Sequence, residues 1–410
     1  MLMDVKWPHA NADFSKLQIE EYIVKLHTSD DLDIEFSKYA NSFKSSATLL
    51  TNELFKDQSI RGLDTYFFSI AYLYRHSLEL ILKAIAFKHI HDSEARKDFL
   101  KDTFHNLSLT LKKIAPFIKE QIQEDEEQYR WLSVYFEDMN DIDKESDSFR
   151  YPFSIGFSRS LTGEKEYHIK PFFKEQTHVN LVAFAYKMEI AFEIVECYYK
   201  EKIPNNNNYK AYSPVFLEEG GSYNVQSVIG YSYARNRFFP YITAYIECGK
   251  LLSQLTVNST TKETIFFPMC YLYRNGIELA MKEILFEECS YNFQEAAHIL
   301  KRQGHSFLGL WNKMKNDVIS HSNGSENDEF VGIIEKYINQ LHNFDGASDR
   351  FRYPIGKYLN CHFKNPVRLD ISNVQSFFEE LSNFFSGVCS MMSTHNEWMR
   401  EMESEMRGYY

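Results

Sequence analysis

Apolar residues recur at helical spacing along most of the chain. Tyr72, Leu73, Leu80, Ile81 and Ala84 mark the buried face of one helix. Two longer amphipathic stretches, at 178–201 and 373–398, predict helices that close the first and second halves. Gly and Pro are scarce inside these runs. The pattern breaks after Phe-Arg-Tyr-Pro, where FSIGFSRSLTGEKEYHIKP loses helical spacing. An irregular segment with a small hairpin around Thr162-Gly163 is expected there. Each half then reads as an entry helix, a Tyr-Leu-Tyr-Arg helix, a helix opened by His-x-Leu, an acidic helix, the Phe-Arg-Tyr-Pro element and a last helix. That order predicts an all-α helical bundle.

The reading repeats because the sequence repeats. FFSIAYLYRHSLELILKAI begins at Phe67 and FFPMCYLYRNGIELAMKEI at Phe266, an offset of 199. FHNLSLTLKKI from Phe104 is answered by GHSFLGLWNKM from Gly304, an offset of 200. DKESDSFRYP from Asp143 is answered by DGASDRFRYP from Asp345, an offset of 202. Three blocks in one order at nearly one spacing make the chain a duplication, and so long a period means two domains rather than a solenoid. The expected organisation is an extension over 1–29, a first helical domain over 30–203, a linker over 204–223, a second helical domain over 224–400 and a tail over 401–410. Pro204, the Asn205–Asn208 tract, Gly220 and Gly221 punctuate the joint.

At 410 residues, two domains agree with length alone. A net charge of −12 argues against a non-specific coat for DNA or RNA, although a local basic cleft stays open. The six cysteines form no CxxC pair, and no Cys/His spacing matches a zinc site, so neither metal nor cofactor is expected. MLMDVKWPHANADF has no basic segment followed by an apolar one, and no apolar run is long enough to span a bilayer. A cytoplasmic protein without a membrane partner is expected.

The candidate chemistry lies in the repeated blocks. Arg75, Glu79 and Lys83 share one helical stripe, and Arg274, Glu278 and Lys282 repeat it. Arg before Glu is the weaker order for a surface ladder, and the helix around the stripe is very apolar. A buried ion network is therefore the favoured reading. His105 and His305 each precede a helix and can cap or line a bundle end. Tyr151 and Tyr353 stand before Pro and are held extended. Arg150 and Arg352, one residue earlier, are expected to turn back onto Glu79 and Glu278 of their own halves, with Asp147 and Asp349 as second choices. No nucleotide-loop, dinucleotide-binding, zinc-protease or hydrolase-elbow motif occurs.

The ordered blocks YLYRHSLELILKAI, FHNLSL and DKESDSFRYP, with YLYRNGIELAMKEI, GHSFLGL and DGASDRFRYP, resemble bacterial HEPN-like helical-bundle proteins across about two-thirds of the chain. The resemblance implies small helical bundles that often dimerise, many of them in toxin–antitoxin, abortive-infection and antiviral systems. It implies metal-independent ribonuclease activity in catalytic members, which carry Arg, four to six residues, then His. No Arg here has that spacing. Three readings follow. The first is a tandem HEPN-like binding or regulatory subunit that recognises RNA, a nucleotide or a protein partner. The second is a divergent endoribonuclease with a composite Arg/His site, with Arg75, His76 and His105 as first candidates. The third is a structural module that forms homo-oligomers.

Overall fold

The computed structural model describes residues 5–57, 60–159, 163–203, 207–230, 237–256, 262–322, 324–325 and 328–408. The molecule is mostly helical. Strand β1 (Ile23–Leu26) precedes α1 (Leu32–Asp57), α2 (Ile60–His89), α3 (Ser93–Thr103), α4 (Leu107–Ile114), α5 (Lys119–Glu124) and α6 (Glu126–Asp143). Strands β2 (Phe153–Arg159), β3 (Lys165–Pro171) and β4 (Thr177–Asn180) lead to α7 (Leu181–Tyr199). The second half runs β5 (Gln226–Ile229), α8 (Phe239–Thr256), α9 (Lys262–Glu283), a π turn over Ile284–Glu288, α10 (Phe293–Gln303), α11 (Phe307–His321), α12 (Glu329–Asp345), β6 (Val367–Asp370) and α13 (Ile371–Gly408). The short helices α3 and α10 are not among the expected elements, although α10 buries Ala296, Ala297, Ile299 and Leu300 on one face and opens with an Asn292–Glu295 capping box.

Helices α2 and α9 are buried on nearly every face, from Phe67 to Phe87 and from Ile265 to Lys282. A helix apolar all round belongs at the centre of a fold. Helix α1 packs on α2 and crosses to α9, while α8 packs on α9 and crosses to α2. One contiguous core therefore runs through both halves. Pro268 removes a helical N–H inside α9, and the freed Thr264 carbonyl accepts the Ser42 hydroxyl of α1.

The small strands join the halves reciprocally. Strand β1 pairs antiparallel with β6, Ile23 opposite Asp370, and β5 pairs antiparallel with β4, Ile229 opposite Thr177. Each leading strand thus pairs with the strand before the other half's last helix. The β2–β3 hairpin is present, with Phe153 opposite Pro171. Gly163 follows its tip at φ +86°, and Thr162 lies outside the described residues. Its Tyr167 hydroxyl meets His298 Nδ1 of α10 at 2.7 Å.

Several expected segments pack as parts of the body. Phe14 of the N-terminal stretch is 2 % exposed among Phe344, Phe377 and Phe378. In the expected linker, Tyr209 and Phe216 are buried, and the Phe216 N–H donates to Asp138 of α6. Pro204, Asn205 and Asn206 lie outside the described residues. The expected tail from 401 continues α13 to Gly408.

Candidate functional site

Glu79 of α2 is 1 % exposed and collects four donors. Arg75 Nη1 reaches its Oε2 at 2.8 Å, and Lys83 Nζ reaches Oε1 at 2.6 Å. His105 Nδ1, just before α4, lies 3.0 Å from Oε1. The fourth donor is the Tyr353 hydroxyl, at 2.9 Å, from the second half. Arg75 also turns to α6, its Nε 3.0 Å from Asp143 Oδ2, and donates to the His105 carbonyl. Asp143 Oδ1 accepts the Ser148 N–H at 2.8 Å, so one carboxylate ties α2 to the turn that leaves α6.

The second half repeats the arrangement with the halves exchanged. Glu278 of α9 takes Lys282 Nζ at 2.7 Å, His305 Nδ1 at 2.9 Å and Arg274 Nη1. Its fourth donor is the Tyr151 hydroxyl at 3.1 Å, from the first half. Arg274 Nε lies 3.0 Å from Asp345 Oδ2, and its Nη2 donates to the His305 carbonyl at 2.7 Å. Lys282 lies over the Tyr151 ring, as Lys83 lies over Tyr353. Each cluster is therefore composite, with a tyrosine handed over from the opposite half.

Burial alone would push the Glu79 carboxyl up, but His105, Lys83 and Arg75 together hold it well below the usual carboxylate range. Glu278 is held down in the same way against its burial by Lys282, His305 and Arg274. Both carboxylates are ionised at neutral pH. Glu79 favours a charged His105, yet burial and the cations Lys83 and Arg150 leave that imidazole lowered; Glu278 likewise favours a charged His305, yet burial, Lys282 and Arg150 leave it lowered. A neutral imidazole beside a carboxylate carries its proton on the facing nitrogen. Nδ1 therefore donates to Glu, and Nε2 keeps a free lone pair. The His105 side chain is 26 % exposed and that of His305 38 %, so these are the edges of the clusters that solvent reaches. Such an edge can accept a hydrogen bond, or take a proton from a bound hydroxyl.

The structure brings Arg75, Glu79, Lys83 and His105 together, and likewise Arg274, Glu278, Lys282 and His305. It separates His76 from them. His76 is 1 % exposed, packs against Phe43, Tyr72 and Tyr353, and donates Nε2–H to the Arg352 carbonyl at 3.0 Å. Burial lowers it far below the usual histidine range, so it stays neutral in the core. The arginine lock also differs from expectation. Arg150 takes its second choice, Asp147, at 2.7 Å, and Arg352 meets no carboxylate among the described residues. The residue that reaches a glutamate is the next one, tyrosine, and it reaches into the other half. Tyr151, Tyr353, Asp143 and Asp345 were missed as site residues, although each stands at an identical place in both copies of the repeated phrase.

No family model, curated protein or solved structure matches the chain. Among the described residues no group of three His, Cys, Asp or Glu side chains is placed to hold a metal ion, and no helix is long and apolar enough to cross a membrane.

Proposed function

We propose that the chain consists of two tandem, homologous HEPN-like helical bundles and serves as the RNA- or nucleotide-recognising component of a bacterial defence or toxin-type system. The observation that carries the reading is the exchange of tyrosines, Tyr353 onto Glu79–His105 and Tyr151 onto Glu278–His305. It places two oriented, solvent-reached imidazoles where the halves meet, as a fused dimer would. A chain of net charge −12 cannot coat a polyanion, so recognition has to be local, through oriented hydrogen bonds and a few cations. The test is fluorescence anisotropy of the full chain with labelled single-stranded RNA, tRNA and ATP in EDTA. Saturable binding that weakens in the His105→Ala/His305→Ala double variant supports the reading; no binding to any of these overturns it.

A second reading, a metal-independent endoribonuclease, is favoured by one specific feature. A neutral Nε2 backed by an ionised carboxylate is suited to take the proton from a ribose 2′-hydroxyl. RNA cleaved in EDTA by the parent chain but not by the double variant supports it. RNA left intact after long incubation sinks it.

A further inference from the structure

Where the halves meet, Tyr72 and Tyr271 stack with ring centroids 4.8 Å apart and an interplanar angle of 29°. Arg150 lies over Tyr72 at 5.8 Å, and Arg352 lies over Tyr271 at 5.7 Å. Each guanidinium is anchored by Nε to a serine carbonyl at 2.6 Å, Arg150 to Ser146 and Arg352 to Ser348. Both serines sit at φ +61°, a turn that aims their carbonyls inward.

The two arginines flank the same stacked ring pair, so each cation opposes the other. Arg150 is offset by Asp147. Arg352 is not, because the corresponding Asp349 lies beside His362 at 3.6 Å. Arg352 is 8 % exposed, yet among the described residues its terminal nitrogens meet no hydrogen-bond acceptor. The Tyr72 hydroxyl, 1 % exposed and within electrostatic reach of both arginines, has no partner either. A largely buried cation without a counter-charge and a buried hydroxyl without a partner are each unfavourable. Both are relieved if one anion reaches the guanidinium and the hydroxyl together.

We propose that Arg352, Arg150 and the Tyr72 hydroxyl form a site for a single phosphate group, one per chain, at the meeting of the halves. The guanidinium fork of Arg352 suits two phosphate oxygens, and Tyr72 donates to one of them. Tyr353 follows Arg352 directly and bonds Glu79 beside His105, so the solvent-reached imidazole lies next along the chain of contacts. The inference rests on the RNA- or nucleotide-recognition reading above and names the group by which such a ligand is held.

Equilibrium dialysis of the full chain against radiolabelled inorganic phosphate, at constant ionic strength in chloride, tests it. A second arm uses adenosine 5′-monophosphate and separates a free anion from an esterified one. Saturation near one phosphate per chain is expected, with affinity about tenfold weaker in Tyr72→Phe and lost in Arg352→Gln. Tyr72→Phe keeps the ring stack and serves if Arg352→Gln does not fold. Lys112→Gln, an exposed cation elsewhere, should bind as the parent does. No saturable binding, full competition by chloride, or unchanged affinity in Tyr72→Phe overturns the site. Phosphate bound without RNA or nucleotide binding leaves the site and removes the functional reading. RNA bound without phosphate binding does the reverse.

Discussion

The exchange of tyrosines makes a prediction that no self-contained pair of domains would satisfy. Tyr353 should couple energetically to Glu79, 274 positions away, and not to Glu278 of its own half. A hydrogen bond to a charged acceptor contributes about 1.5–3 kcal/mol. Glu79 keeps three other donors when Tyr353 becomes Phe, so the loss should fall toward the low end, about 1–2 kcal/mol. Glu79→Gln should cost more, about 3–5 kcal/mol, because it leaves Lys83 uncompensated in the interior and Arg75 with Asp143 alone. Once the carboxylate is gone, removing the hydroxyl loses little further. The double variant should be less destabilised than the sum of the singles by about 1–2 kcal/mol. Urea unfolding of the four chains, followed by circular dichroism and by tryptophan fluorescence, measures the difference. The matched cycle of Tyr353→Phe with Glu278→Gln should be additive within about 0.5 kcal/mol. Coupling of Tyr353 to Glu278, or none to Glu79, would refute the exchanged arrangement and with it the composite sites.

Further outcomes follow from the same contacts. His76, His105 and His305 all have folded-state affinities for protons below that of a free imidazole, so the unfolded chain takes up protons first as pH falls through about 6.5. Stability should be full above that pH and decline below it, by up to about 1.4 kcal/mol per pH unit for each histidine. His76→Asn, which copies Asn275 of the other half, should flatten the slope of melting temperature between pH 6.5 and 5. A further loss should set in below about pH 4.5, as the depressed Glu79 and Glu278 begin to protonate in the unfolded chain ahead of the folded one. Phe14→Ala should cost about 3–5 kcal/mol in chemical denaturation, since it empties a fully enclosed aromatic nest between α12 and α13. A change below 1 kcal/mol would show that the N-terminal stretch is not part of the core. Phe104 ends α3 at φ +45° and is 61 % exposed, where Gly304 ends α10 at φ +56°. Phe104→Gly should stabilise the chain by about 1 kcal/mol, read as a higher urea midpoint at unchanged slope.

What could be read from the sequence was the part that local spacing decides. Arg75, Glu79 and Lys83 stand one turn apart in an apolar helix, and that alone predicts a buried network. His105 and Asp143 join it from neighbouring elements of the same half. The partner of Tyr353 could not be read, for a reason the duplication itself creates. Glu79 and Glu278 have nearly identical surroundings in sequence, so every local argument that brings a tyrosine to one brings it equally to the other. Only the crossing of α1 onto α9 and α8 onto α2 breaks that tie, and it rests on long-range packing. The same degeneracy hid the strand exchange, because β1, β4, β5 and β6 are only four residues each. Where the copies do differ, the difference falls at the meeting of the halves. His76 holds the Arg352 carbonyl, while Asn275 Nδ2 meets no partner among the described residues and Asn275 Oδ1 accepts the Tyr271 hydroxyl at 3.4 Å. Arg150 has Asp147, while Arg352 meets no carboxylate among the described residues. One arginine is thus offset by a carboxylate and the other is not, so the proposed phosphate would meet two unlike faces there. The near-symmetric fold would then impose a direction on such a ligand, and that direction would follow from the few residues in which the two copies diverge.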